Sequence, residues 1–248
     1  MRATKLLIGL IITLAVLFIG FRIFQEEVFA DITRPLILPL VTILYCIKTN
    51  RKRGHFFYFL FLYSIGELLG LAYYYIPIST LADNLMYFGC NLLYISAYIF
   101  LILYILNLFN LKKAFKQFKF PIIILLALDI YCIVLVTNIA FESDNLNGIY
   151  DYLLEFLYNS VIMILLTIAL VNYLNKDSKK AMNLLIGAIC IVFSEVIQVA
   201  YFYVSEIYIL NVAYCLLLVI AFALFYMQNG LHHRVPKVYS TIDNPVEA

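Results

Sequence analysis

Tryptophan is absent from the 248 residues, and charge is scarce, with Asp, Glu, Lys and Arg together making up 13% of the chain. Glycine (9 residues), proline (6) and cysteine (5) are also few. So little charge beside 65% hydrophobic residues and a mean hydropathy of +0.97 excludes a soluble globular protein. The cysteines, Cys46, Cys90, Cys132, Cys190 and Cys215, have no paired spacing and fall in or at the ends of apolar runs, where they read as small core residues. His55, His232 and His233 flank the apolar runs, and no Cys/His/Asp spacing suggests a metal site. No G-x-S-x-G elbow, P-loop or dinucleotide-type glycine pattern occurs.

What is present is a succession of apolar runs, each near the ~20 residues that cross a bilayer. Eight fall near 5–24, 32–48, 56–75, 85–109, 120–139, 153–174, 182–203 and 209–228. The second is the least regular, since Pro35 and Pro39 interrupt it and Arg34 lies at its start. The fold class expected is therefore an all-α polytopic membrane protein of eight transmembrane helices. One domain covers 1–231, followed by a short tail at 232–248. Residues 1–30 have some features of a secretory signal, but Arg22, Glu26 and Glu27 fit poorly before a cleavage site, so the first run is read as a retained span.

The basic residues alternate sides. Arg2 and Lys5, then Lys48 to Arg53, Lys112 to Lys119, Lys176 to Lys180, and Arg234 with Lys237 all fall on one side of the eight-span arrangement. Only Arg22 and Arg34 fall opposite. The positive-inside rule then places both termini in the cytoplasm. The net charge of +2 is a by-product of this topology signal, and no nucleic-acid partner is expected.

Two glutamates stand inside these runs in matching surroundings. Ser64-Ile65-Gly66-Glu67-Leu68-Leu69-Gly70-Leu71-Ala72-Tyr73-Tyr74-Tyr75 aligns without gaps on Val192-Phe193-Ser194-Glu195-Val196-Ile197-Gln198-Val199-Ala200-Tyr201-Phe202-Tyr203. Spans three and seven run in the same direction, so the likeness suggests a parallel 4+4 repeat rather than an inverted one. A carboxylate at bilayer depth costs about 2.5–3.5 kcal/mol on insertion scales, and a chain that bears this twice in one local frame is expected to use both groups. Asn91 in span four, Asp129 in span five and Gln198, three residues beyond Glu195 on the same helical face, are the other strongly polar groups within spans. Two carboxyl groups with amides and phenols around one cavity can supply acid and base without a metal. The alternative is that each acid is hydrogen-bonded packing between helices. Glu155 is expected near the outer end of span six, in contact with interface water.

Tyrosine and phenylalanine number 21 and 20. Tyr73, Tyr74, Tyr75, Tyr150, Tyr152, Tyr201, Tyr203 and Tyr208 sit near outer span ends and read mainly as an interfacial belt. Tyr63, Tyr94 and Tyr214 lie deeper, and a buried phenol needs a partner, which marks these three for a polar cavity.

Arg34-Pro35, Gly66-Glu67, Asn91-Leu92-Leu93-Tyr94 and Ser194-Glu195, with Gly187-Ala188 opening span seven, occur in the order and helix placement of short motifs in a known family. The chain resembles the YhhN-type lysoplasmalogenases, eight-span membrane proteins, from about residue 33 to 228. It departs from them by carrying Glu for both family aspartates and Asn91 for a histidine. The resemblance implies hydrolysis of the vinyl-ether bond of a lysophospholipid drawn from the membrane, without metal or organic cofactor, in a bacterial cytoplasmic membrane. It implies Glu67 and Glu195 as catalytic acid and base, with Arg34, Asn91, Tyr94 and Gln198 binding substrate or water. Arg34 is expected either to meet the lipid phosphate or to snorkel outward. An ion- or proton-coupled transporter, or an inactive relative, would share the paired membrane acids.

Overall fold

The computed structural model describes residues 2–48, 54–73, 75–76, 80–142, 148–205 and 207–229. The tail at 232–248, with His232 and His233, lies outside them, as do Arg51, Lys52, Arg53 and Tyr74. The helices are α1 (Arg2–Ile23), α2 (Glu27–Lys48), α3 (His55–Tyr73), α4 (Thr80–Leu106), α5 (Leu111–Gln117), α6 (Lys119–Glu142), α7 (Ile149–Asn175), α8 (Lys179–Tyr203) and α9 (Tyr208–Asn229). All except α5 are long and apolar enough to cross a membrane, which gives the eight spans expected. Apolar side chains such as Leu6, Ile12, Phe120, Ile123 and Phe193 project from the outer faces. The bundle is thus apolar outside as well as inside, as a membrane protein must be.

Two departures from the sequence expectation concern boundaries. Helix α2 runs unbroken through Pro35 and Pro39. Thr33 donates to the carbonyls of Phe29 (2.8 Å) and Ala30 (3.1 Å), and Thr42 to those of Leu38 (3.0 Å) and Leu60 (3.2 Å). Proline is tolerated within a span where neighbouring helices pack around it, as α1, α3 and α9 do here. Helix α7 begins at Ile149, four residues before the apolar run begins at 153, so Glu155 lies inside the helix. The lysine-rich segment after α4 is itself helical. Asn110 caps α5 by accepting from the Lys113 amide at 3.2 Å.

Around the bundle, α1, α2, α3, α4, α7, α8 and α9 follow one another as neighbours, and α9 closes the ring against α1 and α2. Helix α6 lies outside, against α7 and α8. The α1–α2 turn is a Schellman motif. The Gln25 amide donates to the Arg22 carbonyl (3.2 Å), the Glu26 amide to that of Phe21 (2.9 Å), and Gln25 adopts φ 62° without being glycine. Arg22 of α1 forms an ion pair with Asp31 of α2 beside this turn.

The half of the ring nearer the lysine-rich loops is filled by aromatics. Phe56, Phe59 and Phe225 are buried at 1%, 0% and 0% exposure. The Phe59 ring stacks on Phe222 (5.6 Å) and meets Phe225 edge-on (5.8 Å), while Tyr63 meets Phe222 at 4.8 Å. Close approach of α8 to α9 needs Gly187, because a Cβ there would fall 2.5 Å from the Phe225 ring. The opposite half is hollow.

Candidate functional site

A cavity of about 700 Å³ occupies that hollow half, within the range of small-molecule pockets. All six residues singled out from the sequence, Arg34, Glu67, Asn91, Tyr94, Glu195 and Gln198, line it, and so do Tyr63 and Tyr214. Glu67 is six residues from the end of α3 and Glu195 eight from the end of α8, about 9 and 12 Å at 1.5 Å per residue. Both therefore lie in the half of the bundle near the lysine-poor loops, nearer to mid-span than to that end.

The two glutamates have different company. Arg34 reaches across from α2 to Glu67, with Nε 3.4 Å from Oε2 and Nη2 3.5 Å from Oε1. It neither snorkels outward nor stands apart from the carboxyl group, and its side chain is 24% exposed against 5% for Glu67. Tyr94 donates to Oε1 of Glu67 at 3.3 Å. Gly66 makes this possible, since a Cβ at that position would lie 2.8 Å from Cε1 of the Tyr94 ring. The glycine beside the acid thus seats the phenol that reaches it. Glu195 meets hydroxyl groups instead: Tyr98 donates to its Oε1 at 2.8 Å, and Tyr158 faces it across the cavity wall. Ser194, at the position matching Gly66, donates to the Tyr214 carbonyl at 2.8 Å and so fixes α8 to α9. The same small-residue-Glu pattern performs two different local tasks.

Asn91 donates from Nδ2 to the Tyr87 carbonyl one turn back (2.8 Å), which orients its amide at the cavity wall. Asp129 is not part of the site. It is buried at 5% exposure between α6 and α7, where Thr167 donates to Oδ2 at 2.6 Å. The nearby Asn159–Thr137 bond (3.3 Å) joins the same two helices, so the pair acts as packing between them.

Glu155 corrects the expectation of an interface carboxylate. It is 9% exposed and lines the cavity, and both Tyr87 (3.1 Å) and Tyr203 (3.3 Å) donate to its Oε1. Tyr203 therefore faces inward and is no part of an aromatic belt, whereas Tyr75 and Tyr150, at 77% and 73% exposure, do face outward. The missed residues had a signal in the sequence: polar side chains at helical spacing. Tyr87, Asn91, Tyr94 and Tyr98 form one stripe along α4, and Asp151, Glu155, Tyr158 and Asn159 another along α7. A second Asn-x-x-Tyr, Asn211 to Tyr214, repeats in α9 the spacing of Asn91 to Tyr94.

Two smaller spaces adjoin the main one. An apolar slot of about 80 Å³ lies among α1, α2, α3 and α9, walled by Ile11, Ala15, Ile37, Val41, Val219 and Phe222. A polar recess of about 330 Å³ includes Arg22, Glu27, Asp31, Tyr201 and Asn211. Arg34 and Glu67 border all three. Among the described residues, no three of His, Cys, Asp or Glu come together as a metal-binding set.

No protein-family model, curated protein or solved structure matches this chain.

Proposed function

We propose that this membrane protein is a lipid ether hydrolase, resembling the lysoplasmalogenases, that cleaves the vinyl-ether bond of a lysoplasmalogen-type lysophospholipid to a fatty aldehyde and a glycerophospho-amine. The observation that carries the reading is the junction at Arg34 and Glu67, where an apolar slot among membrane spans opens beside a larger polar cavity. An amphiphile with the head-proximal carbons of its chain in the slot and its head group in the cavity would present the bond between them to these two residues.

The surroundings of the two acids suit different roles. Glu195, met by phenols, is assigned as proton donor to the β-carbon of the vinyl ether. The π electrons form the new C–H bond and leave an oxocarbenium ion at the α-carbon. Glu67, with Arg34 fixing its orientation, stabilises that cation and accepts a proton from the water that adds to it. The hemiacetal then collapses. Its hydroxyl proton returns to Glu195, the C–O bond breaks, and Glu67 protonates the departing glycerol oxygen. One water is consumed and both carboxyl groups are restored. Asn91, Tyr94 and Gln198 are placed to orient the water or the glycerol oxygens. Positioning of this kind contributes much of the rate in such reactions.

Transport would need a path through the whole bundle. The packed floor of Phe59, Tyr63, Phe222 and Phe225 beneath the cavity favours a closed-ended pocket.

The test is aldehyde release from lysoplasmenyl-ethanolamine by protein purified in detergent. Wild type is expected to release aldehyde, and Glu67→Gln and Glu195→Gln to lose at least about a hundredfold, the lower end of what one acid or base contributes. Wild-type turnover that survives in both variants would overturn the assignment of the site, and a folded wild type that releases no aldehyde would overturn the activity.

A further inference from the structure

Hydrolysis consumes a water. A lysolipid with its first chain carbons in the slot and its head group in the main cavity would close both of those ways to Glu67. A third space reaches the same carboxyl group. The polar recess of about 330 Å³ is bordered by Arg22, Glu27, Asp31, Arg34 and Glu67. It starts at the lysine-poor end of the bundle, where Glu27 lies exposed in the first turn of α2. Arg34 is seven residues further along α2, about 10 Å deeper at 1.5 Å per residue. The recess therefore runs from the end of the bundle down to Glu67, which is itself buried.

Its walls suit water. The space would take on the order of ten waters at about 30 Å³ each, and ionisable side chains within a span are favoured where they line a water-filled cavity. Arg22 is buried, and although it pairs with Asp31, its Nε has no partner among the described residues. A buried donor of this kind is normally met by ordered water. Gly70 keeps part of the wall bare. It borders the recess three residues beyond Glu67, on the same face of α3 and toward the lysine-poor end. A Cβ there would meet nothing within 4 Å, so packing does not require glycine at this position as it does at Gly66 and Gly187.

We propose that this recess is the inlet through which water from the lysine-poor side reaches Glu67 while lysolipid occupies the slot and the main cavity. The proposal rests on the reading of Glu67 as the group that takes a proton from the attacking water, and it adds the route by which that water arrives. The main cavity reaches the end of the bundle elsewhere, beside Asp83 and Asp151 in the first turns of α4 and α7. The two spaces share Arg34, Glu67, Tyr94, Phe202 and Tyr214. Head group and water thus have separate mouths and meet at the acid.

The test plugs the recess reversibly. Gly70→Cys puts a thiol in its wall without crowding it, and the variant is expected to turn over like wild type. In detergent, sulfonatoethyl methanethiosulfonate, a charged reagent confined to water, should label this thiol as fast with saturating ester-linked lysolipid, which the vinyl-ether reaction does not consume, as without it. Aldehyde release should then fall about tenfold or more relative to wild type treated identically, because the blocked step brings a reactant to its catalytic group. Dithiothreitol should restore it, and titration calorimetry should show the affinity for ester-linked lysolipid unchanged. Gly70→Phe, which fills the same space permanently, should lower kcat likewise at an unchanged unfolding midpoint. Three results would overturn the inlet and leave the hydrolase standing: labelling that lysolipid abolishes, turnover untouched by both the modification and Gly70→Phe, or a fall matched by an equal loss of lysolipid affinity. A folded wild type that releases no aldehyde overturns the hydrolase reading, and the inlet with it, whatever the labelling.

Discussion

Alanine in place of two glycines should separate packing from chemistry. At Gly187 a new Cβ would fall 2.5, 2.9 and 3.0 Å from three atoms of the Phe225 ring, about 0.9 Å inside the 3.4 Å where ordinary contact begins. The ring is fully buried and held edge-on by Phe59 and Phe222. It has nowhere to go, so α8 must move off α9. Overpacking of this kind costs about 1–3 kcal/mol. At Gly66 the corresponding intrusion is about 0.6 Å, with Cε1 of Tyr94 at 2.8 Å. That ring borders the open cavity and can swing into it, so the stability cost is the smaller of the two. Its hydroxyl, already 3.3 Å from Glu67, then leaves hydrogen-bond range. Misplacement approaching an ångström at a reacting group costs up to about a hundredfold in rate. Denaturant titration in micelles should therefore show Gly187→Ala clearly destabilised and Gly66→Ala close to wild type. Aldehyde release should fall by about ten- to a hundredfold in Gly66→Ala. The reasoning fails if Gly187→Ala is as stable as wild type, or if Gly66→Ala unfolds more readily than Gly187→Ala and turns over normally.

Other substitutions test other joints. Gln25→Gly removes the strain of a left-handed residue with a side chain in the α1–α2 turn and is expected to stabilise by about 0.5–1 kcal/mol in the same titration. Thr167→Val strands the buried Asp129 carboxyl and should cost about 1–3 kcal/mol, whereas Asp129→Asn should leave aldehyde release unchanged; a large loss of turnover there would return Asp129 to the site. Thr42 and Ser64 share a 2.8 Å hydroxyl contact between α2 and α3. A double-mutant cycle of Thr42→Val and Ser64→Ala should give a coupling near 0.6 kcal/mol, the usual scale for such bonds within membranes.

Span number was legible because length and hydropathy dictate it: eight apolar runs became eight spanning helices. Boundaries were harder to read. Pro35 and Pro39 suggest a break to anyone counting amides, but packed neighbours keep α2 whole. Tyr150, Asp151 and Tyr152 disguise the start of α7, and reading that start too late put Glu155 in interface water instead of a cavity. The principal acids stood out because a carboxyl within a span is expensive. Their difference did not, because Arg34 lies 33 residues from Glu67, and Tyr98 97 residues from Glu195, along the chain. Asp129 carries the same cost as Glu67 and turned out to be packing, so cost alone does not separate the two uses. The stripe Tyr87, Asn91, Tyr94, Tyr98 was the better guide, since one helix face that stays polar within a span must look onto something other than lipid.

The pairing of the arginines also bears on how the chain enters its membrane. Arg22 meets Asp31 on the next helix, and Arg34 meets Glu67 on the one after. Each of these cations thus finds its counter-charge within one hairpin of synthesis, before the later spans exist. A translocon can release these helices two or three at a time, as nearly neutral units. Glu155 instead takes its phenols from α4 and α8, and Glu195 from α4 and α7, so their surroundings are completed only when the second half of the ring closes on the first. A truncated chain ending after α4 should therefore insert stably, with Arg22 and Arg34 already paired, and yet possess no pocket at all.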